Sequence, residues 1–433
     1  MDFPGRGDGA RCHVKPGRSS IACVLDVGTN KIACLIARLK PASEETLLAG
    51  RTHAIEVIGY GYQQSRGVKG GMIVDLDKAE HAIRRAVDAA EQMAGVTVES
   101  LIVTQTSGRL SSEAFGAKVD LDTGAVRDND IRKVLAASGR HQIRQGRSAL
   151  HALPIGYTLD GQGGIRDPRG MIGDNLGVDI NLVTADSAAQ DNLVLAINRC
   201  HLDVEGIVAT PYASGLASLV DDEGELGAVC VDIGGGTSSI AIFSEGNLVH
   251  VDAVAIGGHH VTMDIAHCLS IRLDEAERLK TLEGSAIAAS ADERDTLTIH
   301  PVGEDYGAAP QVIPRLTLNQ IIRPRVDEIV ELIRDRLVES GFSGRIGRRV
   351  VLTGGGSQLT GLPDVARHVF GRPVRLGRPL GVKGLPIAAR GAAFSAVVGL
   401  LIYPQLAPAS LFSAGTQSTG YIARMGRWLK ESF

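Results

Sequence analysis

The apolar positions of this chain change period several times. Residues 21–39, IACVLDVGTNKIACLIARL, are almost continuously apolar except for Asp26 and a Gly-Thr-Asn-Lys turn, which predicts two strands joined as a hairpin. A further strand is expected over 56–61 and a glycine-flanked turn over 68–72. Leu76, Ala79, Ile83, Val87 and Ala90 then recur at helical spacing behind Asp75 and Asp77, which suit a first helical turn. Residues 101–104 read as a strand. From 107 to 186 the rhythm alters: alternating segments over 117–121, 148–158 and 178–184 surround one helix near 129–137, separated by turns rich in Gly, Asp and Arg. This stretch reads as a compact α+β module inserted into the first half.

Residues 188–201 predict a helix and 202–209 a strand, after which Thr210-Pro211 opens a helix to 219, proline being favoured at a first helical turn. Strands are expected over 229–233, 239–243 and 248–256, then a helix from His260. Residues 284–315 are polar and turn-rich. A long amphipathic helix follows over 318–340, with Ile321, Ile322, Val326, Ile329, Val330, Ile333 and Leu337 as its core stripe. The apolar run 391–403 is too short to span a bilayer and reads as a buried helix.

Candidate chemistry concentrates in the glycine-bearing turns. In VCVDIGGGTSSIAIF, residues 229–243, a strand ends at Asp232 and passes through Gly234, Gly235, Gly236 and Thr237 before re-entering a strand. Glycine has no Cβ, so the backbone N–H groups of such a tip can converge on a phosphate-sized anion, with Asp232 beside it to hold a cation or its bound water. Glycines also sit in ordinary tight turns, but residues 21–39 repeat the plan with Asp26, Gly28, Thr29, Asn30 and Lys31. Two such hairpins about two hundred residues apart suggest a duplicated architecture whose halves offer one loop each to one ligand. A third element, RVVLTGGGSQLTG over 349–361, is a strand running into Gly354, Gly355, Gly356 and Ser357, where a flat nucleobase and ribose can lie against the backbone.

The order hairpin, hairpin, strand-Gly-Gly-Gly-helix resembles the actin-like ATPase superfamily, with two phosphate loops and an adenosine loop. The segment DEAERLK, 274–280, looks like that superfamily's nucleotide-contacting helix. Glu277 and Lys280 share a helical face at i, i+3, from which they could reach ribose and adenine, although a solvated intrahelical ion pair has the same spacing.

Composition adds limits. A length of 433 residues allows two to four domains, and 44% hydrophobic with 22% charged residues fits a soluble globular chain. A net charge of −4 supplies no basic field for nucleic acid, and the Arg residues of the inserted module are scattered. Six cysteines form no C-x-x-C pair, and Cys23, Cys34 and Cys230 fall within apolar strands, as expected of buried thiols in a reducing compartment. The first twenty residues lack the apolar stretch of a signal peptide and read as a flexible tail of a cytoplasmic protein. His260, Asp264 and His267 share a helical face, but no third His or Cys follows at ligand spacing, which argues against a metal there.

At the other end, a Pro/Ala/Ser/Gly/Thr tether over 404–419 leads to GYIARMGRWLKESF. Tyr421, Ile422, Met425, Trp428, Leu429 and Phe433 make one continuous helical face, with Arg424, Arg427 and Lys430 opposite. After a flexible tether, such a stripe suits a membrane interface with anionic lipid better than packing onto the body.

The nucleotide motifs, the inserted module and this terminal helix together resemble the FtsA family of bacterial cell-division proteins over nearly the whole chain from residue 21. DVGTNK, VKGGMIVD, VDIGGGT, DEAERLK and LTGGGS carry the resemblance. It implies an α/β, actin-like two-lobed ATPase fold of duplicated ribonuclease-H-like halves, with an inserted α+β subdomain and a C-terminal amphipathic helix. The implied domains are a tail over 1–20, a first subdomain over 21–106 with 187–226, the insertion over 107–186, a second half over 227–270 with 341–403, a further subdomain over 271–340, the linker and the helix 420–433. It also implies ATP and Mg²⁺ as cofactors, with Asp26 and Asp232 organising the metal through water, and at most a slow ATPase without an identified catalytic base. Self-assembly at the cytoplasmic face of the inner membrane, recruitment of later division proteins, and docking of the FtsZ C-terminal tail on 271–340, with Arg325 at a basic position used for it, complete the implied function. The alternatives are a pilus-assembly-type actin-like adaptor and a sugar-kinase-like or exopolyphosphatase-like enzyme, neither of which accounts for the terminal helix. A chaperone-like ATPase would need a peptide-binding domain where only about thirty residues remain.

Overall fold

The computed structural model describes residues 17–42, 47–48, 50–106, 109–122, 124–302, 310–342 and 349–406. The N-terminal tail up to residue 16, with Cys12, the tether from 407 and the amphipathic stripe 420–433 lie outside the described residues. No helix among the described residues is long and apolar enough to cross a membrane.

A six-stranded sheet runs in spatial order Asp203–Ala209, Ser100–Gln105, Ser20–Val27, Lys31–Pro41, His53–Gln64 and Val382–Lys383. Ser20–Val27 pairs antiparallel with Lys31–Pro41 and parallel with Ser100–Gln105, which is in turn parallel to Asp203–Ala209. Three parallel strands therefore end at one edge, and the residues just beyond them face a common space, as open α/β sheets arrange their ligand crevices. Helix Leu76–Ala94, capped by the Asp75 side chain on the Lys78 N–H, covers this sheet with Ala79, Ile83, Val87 and Ala90 inward.

The second half repeats the plan. Ala228–Ile233 pairs antiparallel with Ser238–Ser244 and parallel with Arg349–Thr353, flanked by Asn247–Val254 and Val374–Leu376. Alternate residues of this hairpin serve different cores: Cys230 and its cross-strand partner Ala241 join the core of the first half, while Val229, Val231 and Ile240 join that of the helix Arg315–Glu339. That helix buries Leu318, Ile322, Val326, Ile329, Val330, Ile333 and Leu337; Ile321, expected in the stripe, is only partly covered.

Between the two sheets lie the helices Thr210–Ser218 and Ser395–Ile402, nearly every residue of both being buried. They approach so closely that a Cβ on Gly399 would sit 1.8 Å from the Ala213 carbonyl oxygen. The apolar run 391–403 is thus a core helix shared by both halves.

The inserted module does not stay with the half that contains it in sequence. Its strands Ser111–Asp120, Asn175–Asp186, Arg147–Leu159 and Gln162–Ile165 extend the second half's sheet, giving nine strands among the described residues, through pairing of Ser111 with Asp252. The Val251 N–H donates to Ser112 Oγ at 2.6 Å, and Asn181 Nδ2 donates to the Leu248 carbonyl at 2.9 Å from a buried position. Contact with the first half is made at His151, whose Nε2 accepts the Ala209 N–H at 3.0 Å and whose ring packs edge-on to Tyr212. Burial holds this imidazole neutral, down to a pKa of about 3.

Gly399→Ala inserts a methyl where the helices touch, so it is expected to lower stability by about 1–3 kcal/mol through overpacking, read as a lower urea midpoint at unchanged slope.

Candidate functional site

The two glycine hairpins close in the same way. Gly28 donates its N–H to the Lys31 carbonyl at 2.9 Å, and Gly234 donates to the Thr237 carbonyl at 2.9 Å. The tips face each other across the junction of the halves without room for side chains on the second. A Cβ on Gly235 would lie 2.7 Å from Asn30 Oδ1, and one on Gly236 would lie 2.5 Å from Thr29 Oγ1 and 3.1 Å from Gly70 Cα. The third glycine loop seats on the second: Gly354 has φ +82°, and a Cβ there would come 2.3 Å from Asp232 Oδ1.

These loops enclose a cleft of about 420 Å³. Asp26, Gly28, Thr29, Asn30, Lys31, Asp232, Gly234, Gly235, Thr237, Glu277, Lys280, Gly354, Gly355 and Gly356 all line it. Gly236 is covered by Thr29 and Gly70, and Ser357 is fully buried with its Oγ donating to the Gly354 carbonyl at 2.7 Å, so these two shape the loops from behind.

At the phosphate-sized end, Asp26 Oδ1 accepts from Thr104 Oγ1 at 2.7 Å and Asp232 Oδ2 accepts from Ser214 Oγ. Burial raises the Asp232 carboxyl to about 6; Asp26 adds to that shift, while the Ser214 hydrogen bond and Lys31 oppose it. Lys31 Nζ is buried without a hydrogen-bond partner and stands 3.9 Å over the Phe394 ring. Burial lowers its pKa against the pull of Asp26 and Asp232. An ammonium desolvated without an acceptor is costly, and an anionic group in the cleft would supply the acceptors.

At the other end, Lys280 Nζ donates to Glu277 Oε2 at 2.7 Å, Thr262 Oγ1 at 2.9 Å and the Gly258 carbonyl at 3.1 Å. Its three protons are committed within the protein, which leaves Glu277 as the member of that pair with capacity toward a ligand. The wall there is largely apolar, from Val261, Val326, Ile329, Leu359 and Leu362, with Gln358 beside them. None of these was singled out as a site residue from the sequence, because a helical stripe does not say which neighbour it faces. Thr106 and Thr210, also in the wall, carried a weak signal: each follows directly on an apolar strand segment.

Arg325 lies outside the cleft wall. Its guanidinium grips Asp264 through Nε at 2.6 Å and Nη2 at 2.9 Å and also meets Glu328, so its charge is already engaged. Arg323 likewise holds Asp327 and the Ala286 carbonyl. Of the His260/Asp264/His267 face, Asp264 is taken by Arg325 and His260 Nδ1 accepts from the Gly257 N–H at 3.1 Å. No metal-holding cluster of three His, Cys, Asp or Glu occurs among the described residues.

The family model described as "Cell division protein FtsA" matches residues 229–399, and that of the "SHS2 domain inserted in FTSA" matches 107–184. The chain is 56% identical over 422 residues to the cell division protein FtsA of Rhizobium meliloti (strain 1021), covering 96% of each chain. It is 31% identical to that of Escherichia coli (strain K12), covering 94% of this chain and 97% of that one. Among solved structures it resembles one of the PilM-PilN type IV pilus biogenesis complex, with a TM-score of 0.59 at 15% identity, covering 88% of this chain and 98% of that one. It also resembles MreB 5 of Spiroplasma citri bound to AMPPNP, with a TM-score of 0.53 at 13% identity, covering 90% and 96%. The architecture is therefore actin-like.

Because the folded-state pKa of Asp232 lies above the unfolded value, the penalty for its ionisation is absent below about pH 4 and complete above about pH 6. Asp232→Asn is expected to raise stability at pH 7 by about 1–3 kcal/mol, with the gain shrinking toward pH 4.5, as urea midpoints at the two pH values will report.

Proposed function

The chain belongs to the FtsA family of bacterial cell-division proteins, and on that premise we propose that it is an ATP-binding scaffold that assembles on the cytoplasmic face of the membrane and anchors FtsZ filaments there. The observation that carries the nucleotide part is the buried Lys31 ammonium, which lines the cleft between two carboxylates and has no acceptor of its own. A terminal phosphate would accept from it and from hairpin-tip N–H groups other than those of Gly28 and Gly234, which are spent on the Lys31 and Thr237 carbonyls. Asp26 and Asp232 would hold Mg²⁺ through water, and the cation would neutralise phosphate charge beside two carboxylates that otherwise repel it. The apolar wall with Glu277 and the Gly354–Gly356 backbone suits a nucleobase and ribose.

The membrane part rests on the sequence of residues 420–433. Six large apolar side chains on one helical face and three basic residues opposite give a single copy modest affinity, which assembly multiplies by avidity. Filament formation and membrane attachment then reinforce each other. An acidic FtsZ tail meeting 271–340 near Arg325 would compete with Asp264 and Glu328 for its guanidinium, so docking there involves exchange of an ion pair rather than capture by a free cation. Later division proteins would be recruited to the assembled form.

Co-sedimentation with anionic liposomes and ATP tests the anchor: the intact chain should pellet and Trp428→Glu should remain in solution, whereas pelleting of both variants, or of neither, sinks the membrane reading. For the nucleotide, Lys31→Met is expected to weaken ATP binding by at least tenfold, on the order of 1.4 kcal/mol or more, in a fluorescence titration with the fold intact.

A further inference from the structure

The cleft as described names no group for hydrolysis, yet two hydroxyls in its wall have their protons fixed by geometry. Thr210 Oγ1 donates to the Gln105 carbonyl at 3.0 Å, and Thr106 Oγ1 lies 2.7 Å from Thr210 Oγ1. Each hydroxyl owns one proton. With that of Thr210 spent on Gln105, the bond between the two threonines must be donated by Thr106. Thr106 Oγ1 is left with lone pairs only. It presents an acceptor to the cleft, not a donor.

The position is bracketed on both sides. Thr106 follows by two residues Thr104, whose hydroxyl binds Asp26. Thr210 precedes by one helical turn Ser214, whose hydroxyl binds Asp232. Residues at i and i+4 share a helix face, so Thr210 lies on the face that holds Asp232 and Thr106 on the strand end that holds Asp26, at the ends of the parallel strands Ser100–Gln105 and Asp203–Ala209. Both threonines and both aspartates line the same cleft.

We infer that Thr106, held by Thr210, is the residue that orients the attacking water in ATP hydrolysis; this rests on the nucleotide reading above. A water that donates one hydrogen to Thr106 Oγ1 turns a lone pair away from it, toward a terminal phosphorus held by Lys31 and the glycine loops. In the step, the water oxygen bonds to the terminal phosphorus, the bond from that phosphorus to the bridging oxygen breaks with its electron pair going to ADP, and the water proton passes to phosphate oxygens or solvent. Thr106 takes no proton, because a hydroxyl is no base near neutral pH. Catalysis by orientation without a base would give at most a slow turnover, and an acceptor-only group has nothing to donate to the phosphates in the ground state. The hydroxyl therefore belongs to the rate and not to the affinity.

The experiment uses the full chain and its Thr106→Val and Thr106→Ser variants. Affinity for a non-hydrolysable ATP analogue with Mg²⁺ and the single-turnover rate of ATP hydrolysis are both measured. Thr106→Val should lose roughly ten- to a hundredfold in rate with affinity within about threefold, and Thr106→Ser should restore most of the rate. Four results overturn the inference with the nucleotide reading intact: an unchanged rate in Thr106→Val, a matching loss of affinity, failure of serine to rescue, or binding without hydrolysis in the unmodified chain. Failure of the unmodified chain to bind the analogue overturns the nucleotide reading itself. Thr210→Val, which removes the acceptor that fixes the Thr106 proton, should reproduce the rate loss; a normal rate in that variant also overturns the inference.

Discussion

Three ionic groups brought out of water at one seam, Asp26, Lys31 and Asp232, are the constraint around which this molecule is arranged. None has a full complement of partners. Each carboxylate accepts one side-chain hydroxyl, and the ammonium rests over an aromatic ring. Burying charge so sparingly costs several kcal/mol unless something later completes it. The surrounding fold maintains the arrangement by rigidity: parallel strands fix the aspartates at their ends, and two nearly fully buried helices lock the sheets behind them. Backbones meet where no side chain fits. The cost is concentrated at one cleft, where an anionic group or a cation would lower it.

Much of this was readable in the chain because it is local. Each hairpin is written in one continuous stretch, with its aspartate, its glycine tip and its two apolar runs adjacent in sequence. The helix caps and the long amphipathic stripe obey the same short-range periodicities. Residues that find partners far away in the chain were not readable. Thr106 meets Thr210 across 104 residues, and Arg325 meets Asp264 across 61. The Glu277–Lys280 pair was visible from its i, i+3 spacing, whereas the grip of Arg325 on Asp264 was not, since a charged side chain on a helix shows its period but not its distant neighbour. The inserted module was legible as α+β, but its allegiance was not. A strand pairs through backbone groups that every residue carries, so nothing in the side chains near Ser111 announces that Asp252 will lie beside it.

That allegiance has a mechanical consequence. Nine strands at about 4.8 Å spacing place the outer edge at Gln162–Ile165 on the order of 40 Å from the strand Val374–Leu376. The module is covalently threaded through one lobe and hydrogen-bonded to the sheet of the other, so it forms an outrigger on the second lobe with its mooring lines in the first. From the strand that carries Asp232 the tip lies six strand steps away, about 29 Å, so a rotation of about 5° at the seam would sweep it through roughly 2.5 Å, about half a strand-to-strand step. A chemical event confined to a few ångströms between two aspartates would thereby be legible at the molecule's periphery as a displacement, with the sheet itself serving as the pointer.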